Sequence, residues 1–500
     1  MNTSHWLASK ETPSFGKLSS NLDVDLVVIG GGITGITAAY LAKKAGKTVA
    51  LLERGRCAQM DTGHTTAHLT AVPDLWLSEI EKNFSRDISR AVWDAGQAAI
   101  DQIVRIIRAE DIDCDFQWVP GFLHAPSTKD QTAIRDLQEE VQTAQAIGID
   151  ATFTEACPLF STPAVKFAHQ ALFHPVKYLA ALLPIIDGDG SHVFEESPVE
   201  TVEDSNAVVV GSHQITCRNV FLATHTPLTG KTGTLSALLF QTKLYLHTTY
   251  ALSARIEGVE LPVASFWDTQ DPYNYLRIEK DPADGYLAIY GGEDHKTGQE
   301  DNTRENFRRL EARFLKIFPS AQIQHHWSGQ VVETNDGLPF IGETAPHQFA
   351  ATGFAGNGTT FGTLSAMMAL DYIQGRKNPW ADIFQIDRKK LVGSAWEYIR
   401  ENADYPFFLL RDWMAPADGT ATRELKPGEG KILALDGKKV AAYRDDAGNV
   451  TMCSPVCTHL KCIVDWNPAE KTWDCPCHGS RFKPTGEVIS GPAEENLRKI

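Results

Sequence analysis

A glycine-rich turn near the N-terminus constrains the fold of this chain more than any other segment. Residues 24–53 read VDLVVIGGGITGITAAYLAKKAGKTVALLE, a strand pattern followed by a turn, a helix pattern and a second strand pattern. The turn has the spacing G-x-G-x-x-G, formed by Gly30, Gly32 and Gly35. This context predicts a parallel βαβ unit that binds a dinucleotide.

Each residue of this fingerprint has its own expected role. The first glycine permits the tight turn, the second lets backbone approach a pyrophosphate, and the third lets helix and strand pack closely. Glu53 ends the second strand, where its carboxylate is placed to accept hydrogen bonds from a ribose hydroxyl. The alternative is a glycine turn without a ligand, which the position of this acid disfavours.

Length and charge narrow the functional classes. At 500 residues the chain exceeds what one hydrophobic core usually organises, so several domains are expected. A formal net charge of -16 at pH 7 opposes binding to nucleic acids and to anionic membrane surfaces. The N-terminus lacks a secretory pattern, and no apolar run is long enough to span a bilayer. These features predict a cytoplasmic protein that acts on small molecules.

Cysteines and histidines crowd a second informative segment, CTHLKCIVDWNPAEKTWDCPCHGSRF at residues 457–482. It contains two mixed pairs, Cys457 with His459 and Cys475 with His478. Zinc fingers generally pair cysteine with cysteine along the chain, whereas one thiolate and one imidazole on each of two loops suit a [2Fe-2S] cluster. The pattern therefore favours an iron–sulfur cluster, with zinc as the alternative.

The strings CTHLKC and CPCHGS resemble the cluster-binding loops of Rieske proteins of the cytochrome bc type. In addition, SGPA at 490–493 resembles the proline loop that covers their cluster. The resemblance implies an all-β domain over about residues 424–500, a cluster bound through Cys457 and Cys475 on one iron and His459 and His478 on the other, and a disulfide between Cys462 and Cys477.

Two residues after the second ligand pair bear on the reduction potential. Ser480 is placed to donate a hydrogen bond toward a cluster sulfide, whereas Phe482 stands where high-potential relatives carry a tyrosine that donates another. Each lost donor makes the electron-rich reduced state less favourable. We therefore expect a potential below that of the bc-type proteins, within the Rieske span of about -150 to +300 mV.

Two later glycine-containing segments are also informative, ETNDGLPFIGE at 333–343 and ATGFAGNGTTFG at 351–362. With the N-terminal turn they resemble the D-amino acid oxidase and sarcosine oxidase superfamily of FAD enzymes, over about residues 24–375. The resemblance implies an FAD-binding Rossmann-type α/β domain joined to an antiparallel-sheet substrate domain. It also implies that the flavin is lined by Asp336, Gly337, Pro339, Gly342, Gly353, Gly356, Asn357 and Gly358.

Two histidines stand out against this superfamily pattern. In FLATHTPL, His225 replaces the glycine of an Ala-Thr-Gly-like turn, so flavin contacts there are expected to differ. The string TTAH is similar to the TTWH of dimethylglycine dehydrogenases, in which the histidine carries the flavin covalently, and this similarity would make His68 the attachment point. The alternative, which we favour, is that Thr65, Thr66 and His68 only hydrogen-bond the cofactor or each other.

The whole arrangement resembles bacterial FAD-dependent oxidoreductases with a fused C-terminal Rieske domain. We predict an N-terminal extension at 1–23, the oxidoreductase at 24–402, a linker at 403–423 and the Rieske domain at 424–500. Within the oxidoreductase, the FAD-binding parts are predicted at about 24–75, 190–230 and 330–375, and the substrate sheet at about 240–330.

The two cofactors together define a functional hypothesis. A flavin accepts two electrons as a hydride, whereas a [2Fe-2S] cluster carries one. We expect an FAD-dependent dehydrogenase that oxidises an amine or amino acid C–N bond and passes electrons through the cluster to a one-electron acceptor protein or a quinone. The alternatives are a redox sensor or electron-transfer adaptor without turnover, and a plain oxidase that uses oxygen, which would leave the cluster unexplained. A Rieske-type oxygenase is disfavoured, because His169 and His174 lack the carboxylate partner of a mononuclear iron site.

The segment FWDTQDPYNYLRIEK offers candidate substrate residues on the predicted sheet. Arg277 is a candidate clamp for a substrate carboxylate, with Tyr273 and Tyr275 fixing the amine above the flavin and Tyr250 on a neighbouring strand. The alternative is that Arg277 is a solvated strand residue and that the tyrosines pack.

Overall fold

Helices flank the sheets of the oxidoreductase part. The computed structural model describes residues 2–203, 207–226, 243–281, 284–388 and 405–500. The long helix at 86–109 begins at Ser85, whose Oγ accepts a hydrogen bond from the amide of Ile88 at 3.2 Å. In chain order the helices are α1 (His5–Ser9), α2 (Ile33–Lys44), α3 (Leu77–Asn83), α4 (Arg86–Ala109), α5 (Gln131–Ala146), α6 (Pro175–Ile186), α7 (Thr303–Ile317), α8 (Gly358–Ile373), α9 (Ala381–Phe384) and α10 (Tyr405–Met414).

A mostly parallel sheet forms the dinucleotide-binding part. Its path is β16-β17-β10-β1-β2-β7, in which β16 is the antiparallel edge and the short pair β8–β9 lies beside β10. This confirms the predicted Rossmann-type unit, since β1, α2 and β2 follow one another as expected. The strands are β1 (Leu22–Ile29), β2 (Val49–Leu52), β7 (His192–Phe194), β8 (Thr201–Val202), β9 (Ala207–Val210), β10 (His213–Leu222), β16 (Phe340–Ala345) and β17 (Gln348–Thr352).

A second sheet faces the dinucleotide-binding part. Its path is β15-β11-β14-β13-β12-β4-β6-β3, with β5 paired to β6. The pairing is antiparallel except between β12 and β4, which are parallel. The sheet also contains β3 to β6, which lie before residue 173 and therefore outside the predicted range of 240–330. Its strands are β3 (His68–Leu69), β4 (Gln117–His124), β5 (Ala151–Thr154), β6 (Ala164–Leu172), β11 (Leu244–Ile256), β12 (Ala264–Asp268), β13 (Tyr275–Lys280), β14 (Tyr286–Lys296) and β15 (Gln322–Thr334).

The C-terminal part is built from two small antiparallel sheets, which confirms the all-β prediction. Trp473 and Phe482 are fully buried and pack with the cluster-loop cysteines in one core. The first sheet contains β18 (Gly430–Leu435), β19 (Lys438–Arg444) and β20 (Val450–Cys453). The second contains β21 (Asp465–Asn467), β22 (Thr472–Asp474), β23 (Arg481–Phe482) and β24 (Val488–Ser490).

The segments predicted as extension and linker both contain helices. Trp6 of α1 is buried, and its Nε1 donates to the backbone oxygen of Thr65 at 2.6 Å. The N-terminal segment therefore packs against the oxidoreductase part. Helix α10 occupies 405–414 within the predicted linker, and residues 403 and 404 lie outside the described residues.

Candidate flavin cavity and iron–sulfur site

The glycine turn between β1 and α2 is locked by close backbone packing. Gly30 has φ +110°, and a Cβ there would lie 2.2 Å from the backbone oxygen of Ala223. A Cβ on Gly35 would lie 1.9 Å from the backbone oxygen of Gly30. Both positions exclude a side chain, and Gly35 has the predicted packing role without lining the cavity.

A cavity of about 1370 Å³ lies where the Rossmann-type sheet, the antiparallel sheet and the C-terminal part meet. Helices α2 and α8 begin at its wall; neither N-cap residue supplies a side-chain hydrogen bond, although the amide of Ile33 in α2 donates to Thr62 Oγ1 at 3.1 Å. Their N–H groups and dipoles suit the anionic groups of a dinucleotide and a reduced flavin ring. Of the predicted cofactor residues, those that line the cavity are Gly30, Gly32, Glu53, His68, Gly353, Gly356, Asn357 and Gly358.

Glu53 is held by the turn that it follows. Its Oε2 accepts a hydrogen bond from the amide of Gly31 at 2.7 Å, and its Oε1 accepts from the amide of Gly55 at 2.7 Å. A carboxylate has lone pairs beyond these two bonds, so Glu53 can still accept a ribose hydroxyl. The backbone bonds fix its orientation at the cavity wall.

The flavin contacts of the DGLPFIG segment stay a prediction, and Asp336, Gly337, Pro339 and Gly342 lie outside the cavity lining. Asp336 instead forms a two-point ion pair with Arg388, with Nη2–Oδ1 at 2.6 Å and Nε–Oδ2 at 2.8 Å. Gly337 packs against Leu75, since a Cβ there would lie 2.8 Å from Leu75 Cδ2. The segment anchors the edge strand β16 behind the cavity.

His225 stands where the superfamily pattern has a glycine, and the backbone still forms a turn there. Its φ is +65°, a left-handed conformation that glycine adopts most easily. Its backbone oxygen accepts a hydrogen bond from Thr352 Oγ1 at 2.5 Å. The histidine lines the cavity, with Nδ1 3.8 Å from Asp61 Oδ2.

His68 is 8% exposed and lines the cavity. Its Nδ1 lies 3.3 Å from Thr66 Oγ1, whereas its buried Nε2 has no hydrogen-bond partner in the protein. Burial, followed by the charge of Arg277, lowers the pKa of His68 to about 3, so its imidazole is neutral. An orphaned nitrogen in this place fits a site that is completed by a bound group.

The Arg277 clamp stays a prediction, and the side chain lies away from the cavity. Arg277 is 1% exposed and does not line the cavity. Its Nη1 donates to the backbone oxygens of Ala67 at 2.7 Å and Phe173 at 3.3 Å, and Nη2 pairs with Glu279. The guanidinium is a buried crosslink between segments distant in the chain, so Arg277 is not the solvated strand residue of the alternative.

Tyr250 also lies away from the cavity. It is fully buried, and its hydroxyl lies 2.9 Å from His295 Nε2. Tyr275 differs, because it lines the cavity and its hydroxyl lies 2.6 Å from Thr249 Oγ1. Among the three predicted catalytic residues, the structure therefore leaves Tyr275 at the site.

Two carboxyl groups that the sequence did not single out line the same wall. Asp74 accepts a hydrogen bond from the hydroxyl of Tyr273 at 3.2 Å and another from the amide of Gly356. Asp294 lies at the end of β14 that faces the cavity. Desolvation at the cavity wall raises the pKa of Asp74 to about 6, although its side chain remains exposed to solvent, and burial raises the pKa of Asp294 to about 7. The sequence signal for Asp294 was the GGED string at residues 291–294. Nothing in or near this string indicates that Asp294 shares a cavity wall with Asp74.

The C-terminal cluster loops bring the predicted ligands together. A hydrogen bond between the thiols of Cys457 and Cys475 lowers the pKa of Cys457, and the rings of His459 and His478 lie 5.0 Å apart between centroids. The predicted disulfide between Cys462 and Cys477 is present and ties the two loops together. Two adjacent thiols and two adjacent imidazoles fit the donor set of a Rieske cluster.

Ser480 and Phe482 lie beside these ligands and are fully buried. Ser480 Oγ accepts a hydrogen bond from the amide of Ala493 at 3.1 Å, and its hydroxyl donates toward the sulfur of Cys457. Phe482 of β23 packs in the core of the C-terminal part, and its side chain has no hydrogen-bond donor. The relative reduction potential stays a prediction.

The cluster loops contact the oxidoreductase part directly. His459 and His478 face Leu244 and Leu246 of β11 across a small gap. A Cβ on Gly298 would lie 2.7 Å from the backbone carbon of Cys475, so two chain segments touch there without side chains between them. The histidine edge of the cluster site therefore points toward the oxidoreductase part.

Residues 25–372 match the family described as FAD dependent oxidoreductase. The chain belongs to this family. Residues 418–500 match the Rieske [2Fe-2S] domain, so the oxidoreductase carries a Rieske domain at its C-terminus. Its cofactors are accordingly FAD and a [2Fe-2S] cluster, as the sequence predicted.

Named relatives agree with both parts. The oxidoreductase is 32% identical to the Rieske 2Fe-2S iron–sulfur protein YhfW of Bacillus subtilis, over 99% of this chain and 97% of that protein. It is 24% identical to gamma-glutamylputrescine oxidoreductase of Escherichia coli, over 74% of this chain and 87% of that protein. Its fold is similar to that of glycine oxidase from Geobacillus kaustophilus, with a TM-score of 0.62, 16% identity, and coverage of 74% of this chain and 99% of that one.

In the described ranges, every helix is too short or too polar to cross a membrane.

Proposed function

We propose that this oxidoreductase is a dehydrogenase of an amine or amino acid C–N bond that delivers electrons singly, through its Rieske domain, to a separate acceptor. One observation carries the proposal: the cavity that suits FAD shares a wall with the Rieske domain. Ser490, Pro492 and Ala493 line that wall beside the glycine turn of the Rossmann-type unit. The Escherichia coli relative is named as an oxidoreductase of gamma-glutamylputrescine, which is an amine, and this supports the substrate class.

The reaction would convert a C–N single bond to an imine, and the substrate would lose two electrons and two protons. When bound, FAD supplies the two-electron acceptor and the [2Fe-2S] cluster supplies a one-electron carrier. Water then hydrolyses the released imine to a carbonyl compound and an amine. The unidentified acceptor removes both electrons, one at a time.

The protein's own residues would bind the cofactor and accept a proton from the substrate. Gly30, Gly32 and the N-terminus of α2 would bind the pyrophosphate, and Glu53 would bind a ribose. Asp294 would accept the ammonium proton before C–H cleavage, since a carboxyl group with a pKa of about 7 is suited to a general base at neutral pH.

Residues of the Rieske domain would bind the cluster. Cys457 and Cys475 would hold one iron, and His459 and His478 the other. The imidazoles face Leu244 and Leu246 of β11, on the oxidoreductase side. This orientation supports an electron route that enters the Rieske domain through the imidazole edge. The domain boundaries given above and a cytoplasmic location remain predictions.

Anaerobic titration with a panel of amines and amino acids tests the proposal. Flavin absorbance and the EPR signal of the reduced cluster would be followed in the same samples. We expect at least one compound to bleach the flavin and then raise the cluster signal, and to sustain turnover with a one-electron acceptor.

The variant Cys457→Ser serves as the control, because it removes a predicted iron ligand and leaves the flavin cavity intact. It should keep flavin bleaching and lose turnover with the one-electron acceptor. A wild-type flavin that no member of the panel bleaches would favour a sensor or adaptor without turnover.

A further inference from the structure

The wall formed by the antiparallel sheet is acidic and aromatic. Asp294 and Asp74 line it, and Trp267, Tyr273 and Tyr275 line it beside them. The aromatic rings form a chain of contacts, with His68 5.6 Å from Trp267 and 5.7 Å from Tyr275, and Tyr273 5.7 Å from Tyr275, between centroids.

This wall contains polar atoms that the protein itself leaves unsatisfied. The Nε2 of His68 and the Oδ1 of Asp294 are both buried and have no partner in hydrogen-bond geometry, while the backbone of Leu276 lies near His68 and the hydroxyl of Thr249 lies near Asp294. His68 is 8% exposed, and its neutral imidazole can accept a hydrogen bond from an N–H group. Buried polar atoms of this kind are normally paired, so their partner is expected from a bound molecule.

The same wall offers nothing cationic to a carboxylate. The Lys and Arg side chains that line the cavity, within the described part of the chain, all lie on the Rossmann-type or Rieske segments, and none lies on the antiparallel sheet: Arg54, Arg56, Lys471 and Lys483. Arg277 of β13 does not line the cavity; its Nη1 donates to backbone oxygens and its Nη2 to Glu279, while its Nε is buried without a partner. An amino acid carboxylate would therefore meet acids of its own sign.

We propose that the substrate is a cationic amine without a carboxylate next to its nitrogen, held by Asp294 and Asp74 beside the chain of rings Trp267, His68, Tyr275 and Tyr273. Carboxylates attract an ammonium group, and aromatic faces attract it further through their quadrupoles. This assignment rests on the proposed amine oxidation and narrows it to one of the two substrate classes.

Equilibrium binding to the oxidised, FAD-loaded full-length protein tests the assignment without turnover. The probes are benzyltrimethylammonium and 3-phenylpropanoate, which are similar in size and opposite in charge. Binding is measured by calorimetry and by perturbation of the flavin spectrum. We expect the cation to bind at least about tenfold more tightly than the anion.

Variants locate the binding. Asp294→Asn should weaken the cation about tenfold or more, whereas Asp150→Asn, which removes an exposed carboxylate outside the cavity, should change it less than about twofold. Tyr273→Leu should weaken the cation, and Tyr273→Phe should weaken it less, because the aromatic face is retained. This second pair keeps the test valid if Asp294→Asn fails to fold.

The outcomes separate this assignment from the proposed function. The assignment would be overturned if the anion bound with the same affinity as the cation. It would also be overturned if neither Asp294→Asn nor Tyr273→Leu changed the affinity for the cation. Flavin bleaching by amino acids with no cation binding would keep the dehydrogenase and reject the cationic site. Cation binding without bleaching by any amine would keep the site and reject the dehydrogenase.

Discussion

Gln330 Nε2 lies 2.8 Å from the backbone oxygen of Gly479, so a hydrogen bond joins the cavity wall to the loop that carries His478. The same side chain accepts a hydrogen bond from Ser490 Oγ at 2.9 Å. Gln330 belongs to β15 of the antiparallel sheet and is 4% exposed. One buried amide thus connects the cavity to both the ligand loop and the proline loop of the Rieske domain.

Replacing this amide should impair the connection between the two cofactor sites. Gln330→Leu leaves a buried backbone oxygen and a buried hydroxyl without partners, at a cost of about 1–3 kcal/mol per group. We expect a slower rise of the cluster EPR signal after substrate mixing, with an unchanged rate of flavin bleaching. Freeze-quench EPR and stopped-flow absorbance measure the two rates.

Gln299 provides the matched control for Gln330. Its Nε2 donates to the backbone oxygen of Pro476 at 2.9 Å, so it also bonds to the ligand loop, but it does not line the cavity. Gln299→Leu should change the cluster reduction rate less than Gln330→Leu. Equal effects of both variants would mean that only general docking of the domains matters.

The pH dependence of cation binding should report the carboxyl group of Asp294. Its pKa is raised to about 7, first by burial, so the carboxylate that attracts a cation forms as pH rises through this value. The affinity for benzyltrimethylammonium, which cannot titrate, should therefore rise by at most about tenfold per pH unit below pH 7 and level off above it.

Other groups facing Asp294 help to set this profile. They are Thr249, Glu333, His247 and Asp74, of which Glu333 and Asp74 raise the pKa of Asp294 and the other two lower it. Calorimetric titrations between pH 5.5 and 8.5 would give the wild-type profile, and Asp294→Asn should flatten it. A rise that survives in Asp294→Asn would assign the titration to another of these groups.

Arg277 should prove to be a stabilising residue with no role in substrate selection. Arg277→Met leaves Glu279 as an uncompensated buried charge, which costs about 3–5 kcal/mol of the free energy of unfolding. Chemical denaturation would measure the loss, and Arg277→Met/Glu279→Leu should recover part of it. A folded Arg277→Met protein whose discrimination between cationic and anionic ligands had changed would contradict this interpretation.

Ser480 should tune the reduction potential of the cluster. Its hydroxyl donates toward the sulfur of Cys457, and such a bond stabilises the electron-rich reduced state. Ser480→Ala should lower the potential in an EPR-monitored redox titration, while cluster content stays the same. The wild-type value is expected below that of the bc-type proteins, within the span of about -150 to +300 mV, and a value at the top of that span would contradict the sequence argument.

The features that the sequence predicted correctly depend on short chain segments. The Gly30–Gly35 turn forms between consecutive elements, and the cluster loops each carry a cysteine and a histidine separated by one or two residues. Local spacing specifies such chemistry, because the chain between the groups is too short to place them elsewhere. The Rossmann-type unit and the iron–sulfur cluster followed from these two segments, whereas FAD and the two-part oxidoreductase fold came from the superfamily resemblance, which also used residues 333–343 and 351–362.

The substrate wall depends on contacts between distant segments, so its residues were not identified from the sequence. Arg277 resembles a clamp in its strand pattern, but its partners include Ala67 and Phe173, more than 100 positions away. Asp74 and Asp294 come from separate segments and meet only at the cavity. Nothing local distinguishes a buried crosslinking arginine from a ligand-binding one, or identifies two acids as one site.

The central claim is that electrons pass from the flavin site to the Rieske cluster within one molecule. The most direct test mixes the oxidised protein anaerobically with a reducing amine and follows the cluster EPR signal by freeze-quench at several protein concentrations. The account predicts a signal that grows after flavin bleaching at a rate independent of protein concentration. A rate proportional to protein concentration, or a cluster that stays oxidised although dithionite reduces it, would contradict the account.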